Sequence, residues 1–372
     1  MKVVHIITGL DNGGAEGVLY RLVTYDQDNE HVIISMMDEG KYGALLSEQG
    51  FVVHCLGMKS GKISIQAVLK LYKYLREASP DVVQTWMYHA DLLGGIVARS
   101  LGIKKVFWNI RQSCFDERYV KSSTIKIANI CSKLSSVIPS KIVSCSTRAV
   151  EEHIKLGYCK NKIVVIENGY DLDLFKADDY SRIETRNSLG IGQYPVLGMV
   201  GRYNPQKDHK NLIHALSIVD KKGYQFELLL VGRDLNESNT ELLSIINKYG
   251  LKDKVHLLDQ RADIQNIMNA LDIHILSSTS EGFPNVVAEA MACSTPCIVT
   301  NVGDSKLIVD KYGIVVEPRN ANELAEGIIT MMDTMSNDKE WDCLKNDCST
   351  HINENFSIQS MVLRYNKVWN ND

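Results

Sequence analysis

Residues 280–292 read SEGFPNVVAEAMA, and two glutamates in it, Glu281 and Glu289, stand eight positions apart. The run before it, IHILSS, reads as a strand ending near Ser278, and the loop STSEGF follows. Pro284 suits a first helical position and VVAEAMA the helix behind it. Backbone N–H groups of Gly282, Phe283, Asn285 and Val286 would then gather in front of the helix start, while Pro284 has no donor to give. Glu281 would lie in the loop and Glu289 a turn or more into the helix. A carboxylate in an otherwise apolar helix is costly to bury without donors, and the hydroxyls of a sugar or ribose are donors of the right kind. The plainer alternative is a Glu289 that faces water or pairs with a cation.

Three further stretches follow apolar runs in the same way. VGRYNPQKDHKN, residues 200–211, carries Arg202 and Lys207 in one Pro-containing loop before a helix, a pairing suited to a diphosphate or else two solvated surface cations. TGLDNGGAEGVL, residues 8–19, places Gly13 and Gly14 where backbone N–H groups can approach an anion at a helix start. Its spacing is neither GxGxxG nor GxxxxGK[ST], and a plain turn needing positive φ explains it equally well. QTWMYHADLLGG, residues 84–95, puts His89 just after a strand, where it would hydrogen-bond a ligand hydroxyl or cap and pack a helix.

Short, nearly continuous apolar runs alternate with amphipathic helical patterns along most of the chain. The first series is KVVHIIT, HVIISMM, FVVHCL, DVVQTWM, KVFWNI, KIVSCS and KIVVIEN; the second is PVLGMVGR, FELLLVGR, KVHLLD, IHILSS, PCIVTN and GIVVEP. Such runs are strands of parallel sheets buried on both faces. The pattern pauses between residues 170 and 193, so two doubly wound α/β domains are expected, 1–172 and 190–354, with a C-terminal helix over 356–370 that closes the second or packs back on the first. Ligands of such sheets bind at the carboxyl ends of the strands, which is where the four motifs fall. A length of 372 residues supports two cores, and a net charge of −4 supplies no global field for nucleic acid. The nine cysteines include no CxxC and the ten histidines no HExxH, so no metal site is predicted, and the scattered thiols fit a reducing compartment. MKVVHIITG reads as a first strand rather than a signal peptide, and no run is long enough to span a membrane.

Taken together, SSTSEGFPNVVAEAMA with its E-x7-E spacing, GGAE, WMYHADLLGG, VFWNIRQS, ENGYDLDLF, VGRYNPQKDHKNL and NFSIQSMVLRY resemble the retaining family-4 glycosyltransferases of the GT-B fold, in which two Rossmann-like domains face each other across a cleft. WMYH and WNIR look most like bacterial members that build O-antigen, capsule or related surface polysaccharides. The resemblance covers nearly the whole chain and implies a metal-independent hexosyltransferase with no cofactor. It would move a hexose or N-acetylhexosamine from a nucleotide sugar, UDP being the commonest nucleotide in the family, to a saccharide acceptor carried on a polyprenyl diphosphate. It also implies roles. Glu281 would hold donor sugar hydroxyls, Glu289 the ribose, and Arg202 and Lys207 the diphosphate as charge builds on it. Gly282, Phe283, Pro284 and Asn285 would line the donor, with Gly13 and Gly14 closing on its diphosphate and His89 touching the sugar. Arg233 and Arg261, at strand ends, would sit near the base; Arg111 and Tyr88 would face the acceptor side. No Asp-x-Asp stands at a strand end to hold Mg²⁺, so protein charges would replace a metal.

Residues 119–141 mix Lys121, Lys126, Lys133 and Lys141 with Ile, Val and Leu. They form either an ordinary amphipathic helix on the first sheet or a face that touches anionic lipid, as a cytoplasmic enzyme working at the inner membrane would need. The competing functional classes are a GT-B nucleotide-sugar epimerase, which converts a donor alone, and a nucleotide-sugar-binding protein without transfer. A pyridoxal-phosphate-dependent phosphorylase shares the architecture, but such chains are far longer and nothing here marks a cofactor lysine.

Overall fold

The structure, a computed structural model, describes residues 1–11, 13–59, 64–112, 115 and 120–370. Asn12 of the glycine motif, Ser113 of VFWNIRQS and Tyr119 of the lysine-bearing stretch lie outside the described residues. Each predicted apolar run holds a strand. The first seven are β1 (Lys2–Ile7), β2 (Glu30–Ser35), β3 (Val52–Cys55), β4 (Val82–Trp86), β5 (Val106–Ile110), β6 (Lys141–Ser144) and β7 (Ile163–Val165). The remaining six are β8 (Val196–Val200), β9 (Glu227–Val231), β10 (Val255–Leu257), β11 (Ile273–Leu276), β12 (Cys297–Thr300) and β13 (Ile314–Val316).

The chain divides into two compact units, one of Met1–Gly169 with Ile358–Asp372, the other of Tyr170–Ser357. The first holds a parallel sheet ordered β3-β2-β1-β4-β5-β6-β7, the second a parallel sheet ordered β10-β9-β8-β11-β12-β13. Central strands such as β4 and β5 are buried along their full length, which is why they read as unbroken apolar runs.

In the first unit, helix Ile358–Asn370 covers one face of the sheet and buries Ile358, Met361, Tyr365 and Trp369 against Val3, Ile7, Trp86 and Phe107. The indole N–H of Trp369 donates to Gln84 Oε1 at 3.0 Å, and Lys105 Nζ to the carbonyl of Trp369 at 2.9 Å. The opposite face packs helices Ile65–Ala78, Tyr88–Ser100 and Ser122–Leu134 through Leu71, Leu75, Ala98, Ala128 and Cys131.

In the second unit, helix Asp179–Leu189 lies in the stretch that the sequence reading leaves between the domains. Few apolar residues mark it because it docks by charge. Arg182 and Arg186 both meet the buried carboxylate of Asp272, Arg186 Nη2 at 2.7 Å, and the same carboxylate accepts the N–H of Val196 at 2.7 Å. One acid thus ties this helix to the beginnings of β8 and β11. Among the described residues, no helix is long and apolar enough to cross a membrane.

Candidate functional site

Each sheet reverses its strand order once. In the second unit the reversal falls between β8 and β11, and in the first between β1 and β4. At such a point two neighbouring strands send their following loops in opposite directions and leave a crevice at their carboxyl ends. The loops that flank the crevice in the second unit are 201–208 and 277–284; in the first they contain Gly13 and, after β4, Met87, which leads directly into the helix that carries His89.

The second unit brings Lys207 and Glu281 together. Lys207 Nζ lies 2.7 Å from Glu281 Oε1, and Ser278 Oγ donates to the same oxygen at 2.6 Å. The backbone holds them in register. Ser277 Oγ donates to the carbonyl of Lys207 at 2.8 Å, and the N–H of Thr279 donates to the carbonyl of Gln206 at 2.7 Å. Gly303 (φ +56) supports the other side, for a Cβ there would lie 2.4 Å from the Gly282 carbonyl oxygen, which accepts from the N–H of Asp304 at 3.0 Å. Arg202, on the same loop as Lys207, is exposed and has no side-chain hydrogen bond or ion pair among the described residues.

Helix Asn285–Ala292 starts one residue later than predicted. Pro284 is its N-cap, with φ −74° and ψ 96°, because its extended ψ turns the chain before the first helical residue. Pro284 makes no side-chain cap hydrogen bond to this first turn. Asn285 instead accepts, through Oδ1, the hydroxyl of buried Tyr170 at 2.8 Å. Phe283 is buried edge-on against Phe356, so its backbone and not its ring is what the loop can offer a ligand. Glu289 is half-buried, and its charge adds to burial in pushing the Cys293 thiol up to about 12. Arg233 is largely exposed, 3.8 Å from Asp234, while the Arg261 guanidinium is clasped by both oxygens of Asp263 at 2.8 and 2.6 Å. That clasp raises the Arg261 pKa and lowers that of Asp263, leaving Arg261 occupied by its own turn.

In the first unit, neither Gly13 nor Gly14 has a positive φ; Gly13 is extended at φ −146° and caps helix Gly14–Tyr25. A plain turn needing positive φ is therefore not the reason for the glycines. A Cβ on Gly13 would lie 2.3 Å from Glu16 Oε2, because that carboxylate folds back over the helix start. Burial raises the Glu16 pKa, while backbone N–H groups of Ala15 and Glu16 oppose the rise. His89 is the second residue of helix Tyr88–Ser100, half-buried, and burial lowers its pKa, so it is neutral near pH 7 and both donates and accepts. Before it, Met87 has φ +70, a costly conformation for a side-chain-bearing residue at the turn that aims the histidine.

Tyr88 does not face an acceptor: it is buried in the core with its hydroxyl 2.8 Å from His153 Nε2, on the side of the helix that packs into the first unit's core. Arg111 stacks over Trp86 at 4.8 Å, donates to Asn168, and reaches the Tyr365 hydroxyl at 2.7 Å. Ser277, Ser278, Tyr170 and Tyr365 went unread in the sequence. The only local sign was a pair of serines at the end of IHILSS.

The family model described as Glycosyltransferase Family 4 matches residues 12–174, and the one described as Glycosyl transferases group 1 matches residues 181–342. The chain is similar to the UDP-Gal:alpha-D-GlcNAc-diphosphoundecaprenol alpha-1,3-galactosyltransferase of Escherichia coli, with 28% identity over 310 residues, 80% of this chain and 77% of the relative. It is also similar to the N,N'-diacetylbacillosaminyl-diphospho-undecaprenol alpha-1,3-N-acetylgalactosaminyltransferase of Campylobacter jejuni, with 27% identity over 323 residues, 83% of each chain. In fold it resembles the crystal structure of Anabaena HepE in complex with UDP and glucose, at a TM-score of 0.85 and 21% identity over 100% of both chains.

Proposed function

The chain belongs to the family-4 glycosyltransferases of the GT-B fold, and we propose that it transfers a hexose or N-acetylhexosamine, with retention and without a metal, from a UDP-sugar to a polyprenyl-diphosphate-linked saccharide. The observation that carries this reading is the meeting of Lys207 and Glu281 at the strand-order reversal of the second sheet. A cation and an acid from adjacent loops suit a ligand with a diphosphate next to a polyhydroxyl ring. The acceptor class is supported by the names of the Escherichia coli and Campylobacter jejuni relatives, and the nucleotide by the UDP bound to the Anabaena protein. Surface-polysaccharide assembly at the cytoplasmic face of a membrane is the setting such an acceptor implies.

In this mechanism Lys207 and exposed Arg202 take the diphosphate oxygens, and the N–H groups at the start of helix Asn285–Ala292 add donors. Glu281 exchanges Lys207 for hydroxyls of the donor sugar, and Glu289 holds the ribose. Bond cleavage leaves positive charge on the sugar ring and negative charge on the departing diphosphate, and fixed cations stabilise the latter. The acceptor hydroxyl loses its proton to the leaving phosphate on the same face, so no side chain serves as base. Neutral His89 hydrogen-bonds the sugar.

Titration calorimetry against UDP, GDP and ADP, in the presence of EDTA, tests the donor half. Micromolar binding of UDP that weakens in Glu289→Ala is expected, and binding of none of the three refutes the reading. Transfer from UDP-sugars to a synthetic lipid-linked acceptor tests the rest. Turnover is expected to fall about 100-fold in Arg202→Ala, and an unchanged rate would remove the charge-stabilising role.

A further inference from the structure

We propose that Arg111, at the carboxyl end of β5, is a preorganised receptor for a phosphate-bearing anion, the diphosphate of the lipid-linked acceptor. Naming that anion rests on the transfer proposed above; the case for an anion rests on the first unit alone. Arg111 is half-buried, and neutral groups hold its guanidinium. It lies 4.8 Å over the Trp86 ring, donates through Nη1 to Asn168 Oδ1, and donates through Nη2 to the Tyr365 hydroxyl at 2.7 Å. Tyr365 also accepts from Asn109 Nδ2 at 2.7 Å, and burial raises its pKa, so it stays a neutral phenol and supplies no counter-charge. Glu167, next in sequence to Asn168, is taken by Arg364.

Among the described residues, then, no carboxylate pairs with Arg111. Other half-buried arginines are neutralised: Arg182 and Arg186 share Asp272, and Arg261 holds Asp263. A cation drawn partly out of water without a partner is costly unless a ligand supplies the opposite charge. Arg202, which also lacks a partner, is exposed and belongs to the donor loop. The surroundings of Arg111 raise the cost further. In the sheet β5 lies between β4 and β6, and each of these leads into a helix, Tyr88–Ser100 and Thr147–Lys155, that starts at the same edge. Helix starts carry partial positive charge, which repels a lone guanidinium and welcomes an anion beside it.

The clamp fixes the guanidinium without saturating it. Asn168 and Tyr365 each take one donor, so one N–H on each Nη nitrogen is left over, and the fork of a guanidinium matches phosphate oxygens. The platform beneath is itself held. The indole N–H of Trp86 donates to His5 Nδ1 at 3.2 Å. An indole nitrogen can only donate, so His5 carries its own proton on Nε2, 2.9 Å from His31 Nδ1. Burial lowers the His5 pKa, which keeps this layer neutral under the guanidinium. Tyr365 stacks on the same Trp86 ring at 6.2 Å. A cation fixed in this way loses little freedom when an anion arrives, which favours binding. The donor diphosphate has Lys207 and Arg202 in the second unit; the other diphosphate of the proposed reaction is the acceptor's.

The test is titration calorimetry of the full chain with inorganic pyrophosphate, in EDTA and with UDP saturating so that the donor loop is occupied. The wild type is expected to bind, and Arg111→Gln to bind about 10- to 100-fold more weakly, with UDP affinity unchanged. Arg111→Lys keeps the charge but not the fork. It should recover part of the affinity, and it carries the test if the glutamine variant does not fold. Initial rates then compare a synthetic polyprenyl-diphosphate-linked acceptor with a neutral alkyl glycoside of the same sugar. The wild type should prefer the diphosphate form, and Arg111→Gln should lose that preference through a raised KM for it. Pyrophosphate binding that is absent, or equal in the variants, overturns the proposal, as does a preference for the diphosphate acceptor that survives Arg111→Gln. A joint loss of UDP and pyrophosphate affinity in a variant with an unchanged melting temperature also overturns it, by assigning Arg111 to the donor. Arg111-dependent pyrophosphate binding with no transfer to either acceptor would refute the proposed reaction and leave the anion site standing.

Discussion

Glu281→Gln separates two roles that the structure combines. In it the Glu281 carboxylate occupies Lys207 Nζ at 2.7 Å, and the two side chains are only 15% and 18% exposed. A donor diphosphate must take Lys207 away from Glu281. Two unit charges about 4 Å apart attract by roughly 4 kcal/mol at an effective dielectric of about 20. Lys207 regains much of that from the diphosphate, and the desolvation of both groups offsets more, so a net 1–2 kcal/mol of competition remains, about a ten-fold effect. The amide keeps the shape of the side chain and still accepts from Ser278, whose hydroxyl bonds Oε1 at 2.6 Å. UDP alone should therefore bind Glu281→Gln about ten-fold more tightly by titration calorimetry, while transfer falls by about 100-fold or more because the sugar loses a charged acceptor. If the variant binds UDP no better than the wild type, the Lys207–Glu281 pair does not compete with the diphosphate and the reasoning fails.

Asp272→Ala leaves Arg182 and Arg186 without their shared partner and strips Val196 N–H of its acceptor. It should cost the second unit about 3–5 kcal/mol in urea unfolding, and a loss under about 1 kcal/mol would contradict that assignment. Gly303→Ala forces a Cβ to within 2.4 Å of the Gly282 carbonyl oxygen at φ +56. It should lower the melting temperature and weaken UDP binding together, and an intact affinity would show that loop 281–284 is not held from this side. Burial lowers the pKa of His5, and lowers those of His153, His209 and His274 to about 4, 3 and 3. These groups stay neutral when folded but charge in the unfolded chain, so their contribution is complete above pH 6.5 and drains as pH falls below it. The slope is about 1.4 kcal/mol per pH unit for each histidine. Urea titrations at pH 7.5 and 5.5 should show that loss, and equal stability would refute it. Asp26 acts lower down. Against the cost of its burial, the His31 ring 3.2 Å away and hydrogen bonds from Asn29 and Asn366 hold it at about 2, below its ordinary 3.8. Its contribution is present above pH 4 and lost between there and pH 2, and Asp26→Asn should flatten the stability profile in that window.

The strands and their order along the chain were written locally. A parallel strand is buried on both faces, so its sequence is a short apolar run, and every such run proved to be a strand. The motif positions were legible for a related reason: in a doubly wound sheet, whatever follows a strand lies at its carboxyl end. SEGFPNVVAEAMA and VGRYNPQKDHKN could thus be set at strand ends from sequence alone. That β8 and β11 are neighbours, however, is decided by how the sheet assembles, since residues 201–272 separate them. Only that adjacency puts Lys207 against Glu281, 74 positions apart, and lets Ser277 brace the loop opposite. Tyr365 reaches Arg111 across 254 positions for the same reason, and no periodicity records it. Tyr88 shows the limit at closest range. It stands one residue from His89, and the phase of the helix on its sheet sends one side chain into the core and leaves the other half-exposed. Spacing and turn chemistry specify elements because they act within a few residues. Which charged group meets which is set by tertiary packing, which joins residues that no local pattern connects.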